Sequence, residues 1–577
     1  MSLNVVIIGA VAAGPKAGCR IKRLLPEARV TMLDRDDIIS YGGCGIPFYV
    51  SGDVPELKGL LSTSFHMVRD PAFFKGAKGI DVLTRTEALA VDRAAKTVLV
   101  KDLASGREST LAYDKLVLAT GSSPFLPPVE GVDLPGVLPV ANAHHAEAIK
   151  GMVAGGEVGR AVIVGAGATG LEMAEALADL WGVEVDILEM ADQVLPGVLD
   201  QEMARMLEYH LSQQEGLTLR LGVKLEKVLA GEDGRVAGVL AGGETYPADL
   251  VIMATGYRPN AELARAAGLE LTAAGAVKVD AHMRTSDPDI YAGGDCVGLT
   301  HQLTGQEVYF PSGSLANRVG RVIGTNVCGG HDTFPGVLGS FCIKLFGLSV
   351  AATGLTEAAA AKEGLTVVAP LVVQADRAHF HPDMKLMYLK LVVEAGSRRV
   401  LGLTTLGENG DAVAGRVSAV AGLLAKAAVL EDVSNLEMPY SPPLGAAVDI
   451  LNAAANTAEN LLAGKLRPMT PEEFSHRLAA RDAGNTVFLD VRAIDNASPY
   501  LKELAPAWQH LPQETLLTRV EEVPADKDVV LICNSGVRSY EAQVMLESRG
   551  IKNTYNLSGG VAAVKRWGES ILAPKEE

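Results

Sequence analysis

The sequence predicts an α/β protein with two dinucleotide-binding folds followed by two smaller α/β domains. Three observations carry this. A strand, a glycine turn, a helix, a second strand and a terminal acid follow one another between residues 5 and 34, and again between 161 and 189. An apolar strand ending in Ala-Thr-Gly also occurs twice, at 116–121 and 251–256. Finally, 577 residues, 48% apolar and with 61 glycines, suit about three or four domains rich in phosphate-type turns.

The first unit opens on the buried strand Val5-Val6-Ile7-Ile8. Gly9, Val11, Ala12, Ala13 and Gly14 form the turn, and a helix runs through Arg23. A pyrophosphate can sit on that helix's N-terminus, where free N–H groups and the macrodipole favour anions. The strand Arg29–Leu33 leads to Asp34, a ribose acceptor, with Arg35 beside it in the cofactor-binding set. Val11 stands where the fingerprint has its middle glycine, and its side chain holds the pyrophosphate further from the backbone. The second unit has the full fingerprint, Gly165-Ala166-Gly167-Ala168-Thr169-Gly170, between the strand Ala161–Val164 and a helix from about Leu171 to Leu180. The next strand ends in Glu189, whose carboxylate favours the free 2′-hydroxyl of NADH over the 2′-phosphate of NADPH; Met190 follows, not an arginine. The turns Ala119-Thr120-Gly121 and Thr255-Gly256 return the chain beside each dinucleotide, and Gly294-Asp295 places a carboxylate within reach of a ribityl chain.

A net charge of −17 argues against a nucleic-acid partner, which needs a basic patch. The six cysteines are scattered, with neither CxxC nor metal-ligand spacing, so neither a disulfide framework nor a metal site is expected. A reducing cytoplasm is the expected compartment, with no membrane contact: no apolar run is long enough to span a bilayer and no leader pattern precedes the first strand.

The segment Ser40-Tyr41-Gly42-Gly43-Cys44-Gly45-Ile46-Pro47 holds one cysteine among small turn-forming residues. A redox pair C-x4-C would place a second cysteine at 49, where there is a tyrosine. A lone thiol beside a redox cofactor can form a mixed disulfide or cycle through a sulfenic acid; it can equally be a small buried hydrophobe.

The order of these pieces resembles the pyridine nucleotide-disulfide oxidoreductase family, and the lone Cys44 resembles its coenzyme A-disulfide and persulfide reductase branch. The resemblance implies two Rossmann-like domains, FAD bound by residues 1–122 and 251–330, and NAD(H) bound by an inserted domain at 123–250. It also implies coenzyme A bound by Lys16, Arg20, Lys22, Arg23, Ser40 and Gly43, the basic residues neutralising its phosphates. Residues 331–465 correspond to an interface domain that forms a homodimer and offers Tyr440 to the partner's cysteine, where a phenol can protonate a leaving thiolate. Two positions depart from the family: Gly43 replaces an asparagine, and His381 stands near where a second tyrosine is expected.

From 466 the chain passes through a linker into a capped helix and a compact α/β domain that resembles a single rhodanese. Cys533 ends an apolar strand and opens the loop Asn534, Ser535, Gly536, Val537, Arg538. Successive N–H groups of such a loop, the helix behind it and Arg538 favour an anionic sulfur, so Cys533 is expected to have a lowered pKa and to carry a persulfide.

Together the resemblances imply an FAD enzyme that passes hydride from NADH to flavin and reduces a disulfide, persulfide, polysulfide or coenzyme A disulfide at Cys44, with Cys533 handling sulfane sulfur. Its partners are then small sulfur compounds and a second copy of itself. Two alternatives stay open: an NADH oxidase or peroxidase using a Cys44 sulfenic acid, and a sulfur-relay scaffold whose flavoprotein half senses redox state.

Overall fold

The computed structural model describes residues 2–568 and residue 571. The tail of the expected rhodanese domain, at 569–570 and 572–577, lies outside the described residues. The chain divides into two compact units, one of Met1–Met190 and Glu215–Val337, the other of Ala191–Gln214 and Leu338–Glu577.

In the first unit, strand β1 (Asn4–Ile8) is followed by helix α1 (Ala13–Leu24) and strand β2 (Arg29–Leu33). A 3₁₀ turn at Gly43–Gly45 carries Cys44 into the short helix α2 (Ile46–Ser51), and strand β3 (Lys115–Leu118) comes later. The inserted fold contributes β4 (Arg160–Val164), α3 (Ala168–Trp181), β5 (Glu184–Leu188) and β6 (Leu250–Met253); the chain then returns with β7 (Ile290–Ala292) and α4 (Gly313–Val327). One parallel sheet runs in the order β7, β3, β1, β2, Asp81–Leu83; the other runs Leu217–Arg220, β5, β4, β6, Val137–Pro139. Beyond their first residues, Asn4 and Arg160, the central strands β1 and β4 are apolar on both faces and buried, as parallel strands covered by helices must be.

The repeated Ala-Thr-Gly turns explain the repeated glycines. Gly9 and Gly165 both have φ +110°, and a Cβ there would come within 2.0 Å of the Ala119 carbonyl oxygen and 2.4 Å of that of Ala254. The two fingerprints therefore lie against the ends of β3 and β6, and only glycine allows that approach. The helix of the second fingerprint starts at Ala168, three residues before the sequence suggests, because the turn itself winds into the first helical residues.

The second unit holds an antiparallel layer of six strands, in which Phe341–Leu345, Leu348–Gly354, Val400–Gly407 and Leu386–Glu394 follow one another in that order. The helix Gln201–Ser212 belongs to this unit, although it is inserted within the second dinucleotide fold. Beyond it, Pro468–Met469 pairs with a later strand, and Thr470 and Glu473 form a capping box at the helix Pro471–Ala479. A five-stranded parallel sheet includes β8 (Thr486–Asp490), β9 (Asp528–Ile532) and β10 (Thr554–Leu557), with helix α5 (Val537–Ser548) following β9. Its core stacks Trp508 between Phe488 and Tyr500, with centroids 5.9 and 5.0 Å away. All six cysteines are free thiols.

Candidate active sites: a flavin-side thiol and a loop thiol

In the first fingerprint, Asp34 accepts the Ala10 N–H at 2.7 Å and that of Asp36 at 3.0 Å. Burial raises its pKa, and those two N–H groups oppose the rise. In the second fingerprint, the buried Glu189 accepts the Ala166 N–H at 2.8 Å. Each acid thus holds the turn of its own fingerprint in place. A Cβ at Gly167 would meet nothing within 4 Å, so that turn is open where a pyrophosphate would lie. These cradles fit two dinucleotides: Gly9, Val11, Ala12, Ala13 and Gly14 at α1, and Gly165, Gly167, Ala168, Thr169 and Gly170 at α3.

The returning segments are tied down by side chains. Thr120 donates to the Asn260 carbonyl at 2.6 Å, and Asn260 donates back to the Thr120 carbonyl at 2.9 Å. Asp295 accepts the Ser312 N–H at 3.1 Å and the Ser122 hydroxyl at 3.3 Å; burial raises its pKa. Ser122, Asn260 and Ser312 carry no motif of their own and were invisible in the sequence.

Cys44 belongs to this cluster. A Cβ on Gly313, at the start of α4, would lie 3.6 Å from its Sγ. The residue is solvent-exposed, yet its sulfur is partly desolvated. Burial, then the carboxylates of Glu172 and Asp295, push the thiol up, while the N–H groups of Cys44 and Gly313 pull it down. Glu172, on α3 just past Gly170, is the chief residue that sequence reasoning missed. Burial and then Glu175 push its carboxyl up to about 7. Trp181, near the end of the same helix, donates to the Val50 carbonyl of α2 at 2.8 Å. The helix that opens at the second fingerprint is therefore hydrogen-bonded to the helix that follows Cys44.

The basic residues of α1 diverge. Arg20 donates to the Thr325 hydroxyl at 3.1 Å. Lys22 is spent on the carbonyls of Pro26 and Ala28, so its ammonium does not join the others. Lys16 and Arg23 are exposed and, with Lys78, lie close enough to stabilise a Cys19 thiolate, whose formation burial opposes. Lys78 is a further cation that the sequence did not mark. Ser40 is buried with φ +50°, and its N–H donates to the Ala10 carbonyl, joining the cysteine loop to the first fingerprint. Among the described residues, Asp36, Asp37 and His144 have metal-ligand spacing, but they form a surface ion-pair group.

In the second unit, Tyr440 is 52% exposed. The Ala378 N–H donates to the Pro442 carbonyl, which brings the His379–His381 segment beside the Tyr440 loop. His381 is half-buried, and its Nδ1 accepts the Asp383 N–H at 3.3 Å.

Cys533 lies at the end of β9 and is 1% exposed. Its Sγ accepts the Gly536 N–H at 3.1 Å and lies 3.2 Å from the Ser539 Oγ. The loop is held from two sides. Arg492 forms a buried ion pair with Asp490 at 2.6 Å and donates to the Asn534 Oδ1 at 3.3 Å. On the other side, a Cβ on Gly560 would come within 2.5 Å of the Cys533 carbonyl oxygen, so that backbone presses directly on the loop.

Comparison with known proteins agrees with this architecture. Residues 3–313 match the pyridine nucleotide-disulphide oxidoreductase family, 341–449 its dimerisation domain, and 470–566 the rhodanese-like domain. A structure described as an NAD-dependent persulfide reductase from A. fulgidus is 39% identical, with TM-score 0.91, covering 97% of this chain and 100% of that one. The NAD(P)H sulfur oxidoreductase (CoA-dependent) of Pyrococcus furiosus is 35% identical over 78% of this chain and 97% of its own. The NADH oxidase of Methanocaldococcus jannaschii is 34% identical over 80% of this chain and 100% of its own. The chain belongs to the pyridine nucleotide-disulphide oxidoreductase family, whose cofactors are FAD and NAD(P)H, and carries a rhodanese-like domain behind its dimerisation domain.

Proposed function

We propose that this enzyme uses NADH to reduce the sulfur–sulfur bond of an organic persulfide, a polysulfide or coenzyme A disulfide at Cys44, with Cys533 as the carrier of sulfane sulfur. One observation carries the reading: a single thiol at the flavin-side site, with Tyr49 where a second redox cysteine would stand, in the same chain as an intact rhodanese loop. When bound, FAD supplies a two-electron reservoir between NADH and the sulfur of Cys44. Gly9–Gly14 at α1 and Gly165–Gly170 at α3 hold the two pyrophosphates; Asp34, Arg35, Glu189 and Asp295 hold hydroxyl groups. The carboxylate at Glu189 favours NADH over NADPH.

The Cys44 thiolate attacks the R-bearing sulfur of a persulfide R–S–SH, forming a mixed disulfide and releasing HS⁻. Two electrons then cleave the mixed disulfide, returning the Cys44 thiolate and R–S⁻. Overall, R–S–SH, NADH and one proton give R–SH, H₂S and NAD⁺. Lys16, Arg20, Arg23 and Lys78 form the cationic side that suits the phosphates of a coenzyme A carrier; Lys22 is already engaged. Tyr440, from a second copy in a cytoplasmic homodimer, offers a phenol proton to the leaving thiolate.

The test is anaerobic stopped-flow absorbance. NADH-reduced enzyme is mixed with coenzyme A persulfide, coenzyme A disulfide or peroxide. Fast reoxidation by persulfide that is lost in Cys44→Ser supports the reading. The NADH oxidase relative favours a second reading, in which Cys44 cycles through sulfenic acid; fast reoxidation by peroxide alone would replace the first reading with it.

A further inference from the structure

The buried contacts behind Cys533 contain more than the loop chemistry requires. Ser539 is 0% exposed and Asn556, on β10, is 5% exposed. The Ser539 hydroxyl lies 2.5 Å from the Asn556 Oδ1 and 3.2 Å from the Cys533 Sγ. A separation of 2.5 Å is short for N–H···O and suits O–H···O, so Ser539 is the donor and the amide oxygen the acceptor. A hydroxyl has one proton. Spent on Asn556, it leaves only a lone pair facing Cys533. The sulfur's remaining favourable arrangement is to donate its own S–H to Ser539 while accepting the Gly536 N–H. A thiolate or a persulfide has no proton on that sulfur and would face the lone pair unless Ser539 turned round and left Asn556.

We propose that Asn556 is a positioning residue that acts through Ser539: it turns the hydroxyl proton away from Cys533 and so favours the unloaded thiol over the sulfur nucleophile. Loading then requires three linked events. The S–H proton leaves to solvent, Ser539 turns its hydroxyl toward the sulfur, and the thiolate bonds to the outer sulfur of R–S–SH. The R–S···SH bond breaks, R–S⁻ departs, and Cys533 carries –S–SH. The turning of Ser539 makes the loop respond to whether Cys533 is loaded. The inference rests on Cys533 being the sulfur carrier.

The charged groups of the loop and its supports are Arg538, within the loop sequence, and the Arg492–Asp490 pair, which reaches Asn534 from the end of β8. From β10 the facing group is the neutral Asn556. Substitution at Asn556 leaves every one of those charges in place.

The test is the pH dependence of iodoacetamide alkylation of the Cys533 peptide, followed by mass spectrometry in the full-length holoenzyme. Asn556→Leu frees Ser539 to donate to the thiolate. The expected result is about fivefold faster alkylation near neutral pH with the same high-pH limit, the size of one hydroxyl hydrogen bond. Adding Ser539→Ala should remove that gain. Asn556→Asp, nearly isosteric and a stronger acceptor, should alkylate more slowly than wild type, and it decides the matter if the leucine variant does not fold. An unchanged or slower rate in Asn556→Leu, a gain that persists without Ser539, or a faster rate in Asn556→Asp would overturn the proposal. A purely structural role would lower the urea midpoint and leave the pH profile where it was. Failure of the carrier reading has its own signature: wild-type protein exposed to glutathione persulfide would gain no Cys533 persulfide, whatever the alkylation profile.

Discussion

Glu172 and Cys44 form the most informative pair of residues. A carboxyl with a pKa of about 7 binds a proton in the native state up to that pH, whereas its ordinary value is 4.5. The native state therefore holds more protons between these limits, and stability falls as pH rises through the window. Glu172→Gln should raise stability at pH 8 by roughly 1–3 kcal/mol and have little effect at pH 5, read as denaturant midpoints at the two pH values. The same substitution removes a charge that pushes the Cys44 thiol up. Alkylation of Cys44 should become faster at pH 8, where Glu172 is ionised, and stay the same at pH 5.5, where it is not. Equal effects at both pH values would show that the carboxylate is not the cause.

At the scale of elements, the two fingerprints are held by backbone contact. Gly165→Ala puts a Cβ 2.4 Å from a carbonyl oxygen in a left-handed turn, so the β4–α3 corner must shift. Reduction of the flavin by NADH should slow by about a hundredfold, the rate lost to about a one-ångström displacement. Flavin content, set by the other fingerprint, should be unchanged; loss of flavin instead would mean that the two folds are not separable in this way. In the rhodanese-like domain, Asp490→Asn leaves Arg492 buried without its counter-charge and weakens the acceptor of the Trp508 N–H, now at 3.3 Å. A cost of about 3–5 kcal/mol to that domain is expected. Urea unfolding followed by Trp508 fluorescence in a Trp181→Phe, Trp567→Phe background should move to lower denaturant ahead of the flavin signal.

For the whole molecule, the second unit exposes Phe380, Tyr440, Leu444 and Val448, with Leu444 73% exposed. Large apolar side chains gathered around one loop region mark a protein contact. In this family the segment lies in the dimerisation domain. Leu444→Asp should therefore shift the protein toward monomer in sedimentation velocity, and persulfide-dependent turnover should fall with it if Tyr440 acts across the dimer. A dimer with full turnover would separate Leu444 from the interface. No described helix is long and apolar enough to cross a membrane.

Much of this protein is determined by local sequence. The strand–glycine–helix–acid order places both nucleotide cradles, because a glycine turn and a helix N-terminus are built from neighbouring residues. Cys44 and Cys533 are legible for the same reason: each ends or begins an element within a short run of turn formers. What local sequence could not show is which distant side chain arrives beside them. Glu172 reads as an ordinary helix-surface acid until α3 is laid near the Cys44 turn. Ser312 and Ser122 become meaningful only when they meet Asp295. Lys22 reads as one more phosphate ligand until the fold gives it two backbone carbonyls. Asn556 carries no signal in the sequence until parallel pairing buries it behind Ser539. Charge, hydrogen-bond geometry and desolvation act over a few ångströms in space, and only the tertiary structure decides which residues lie within that distance.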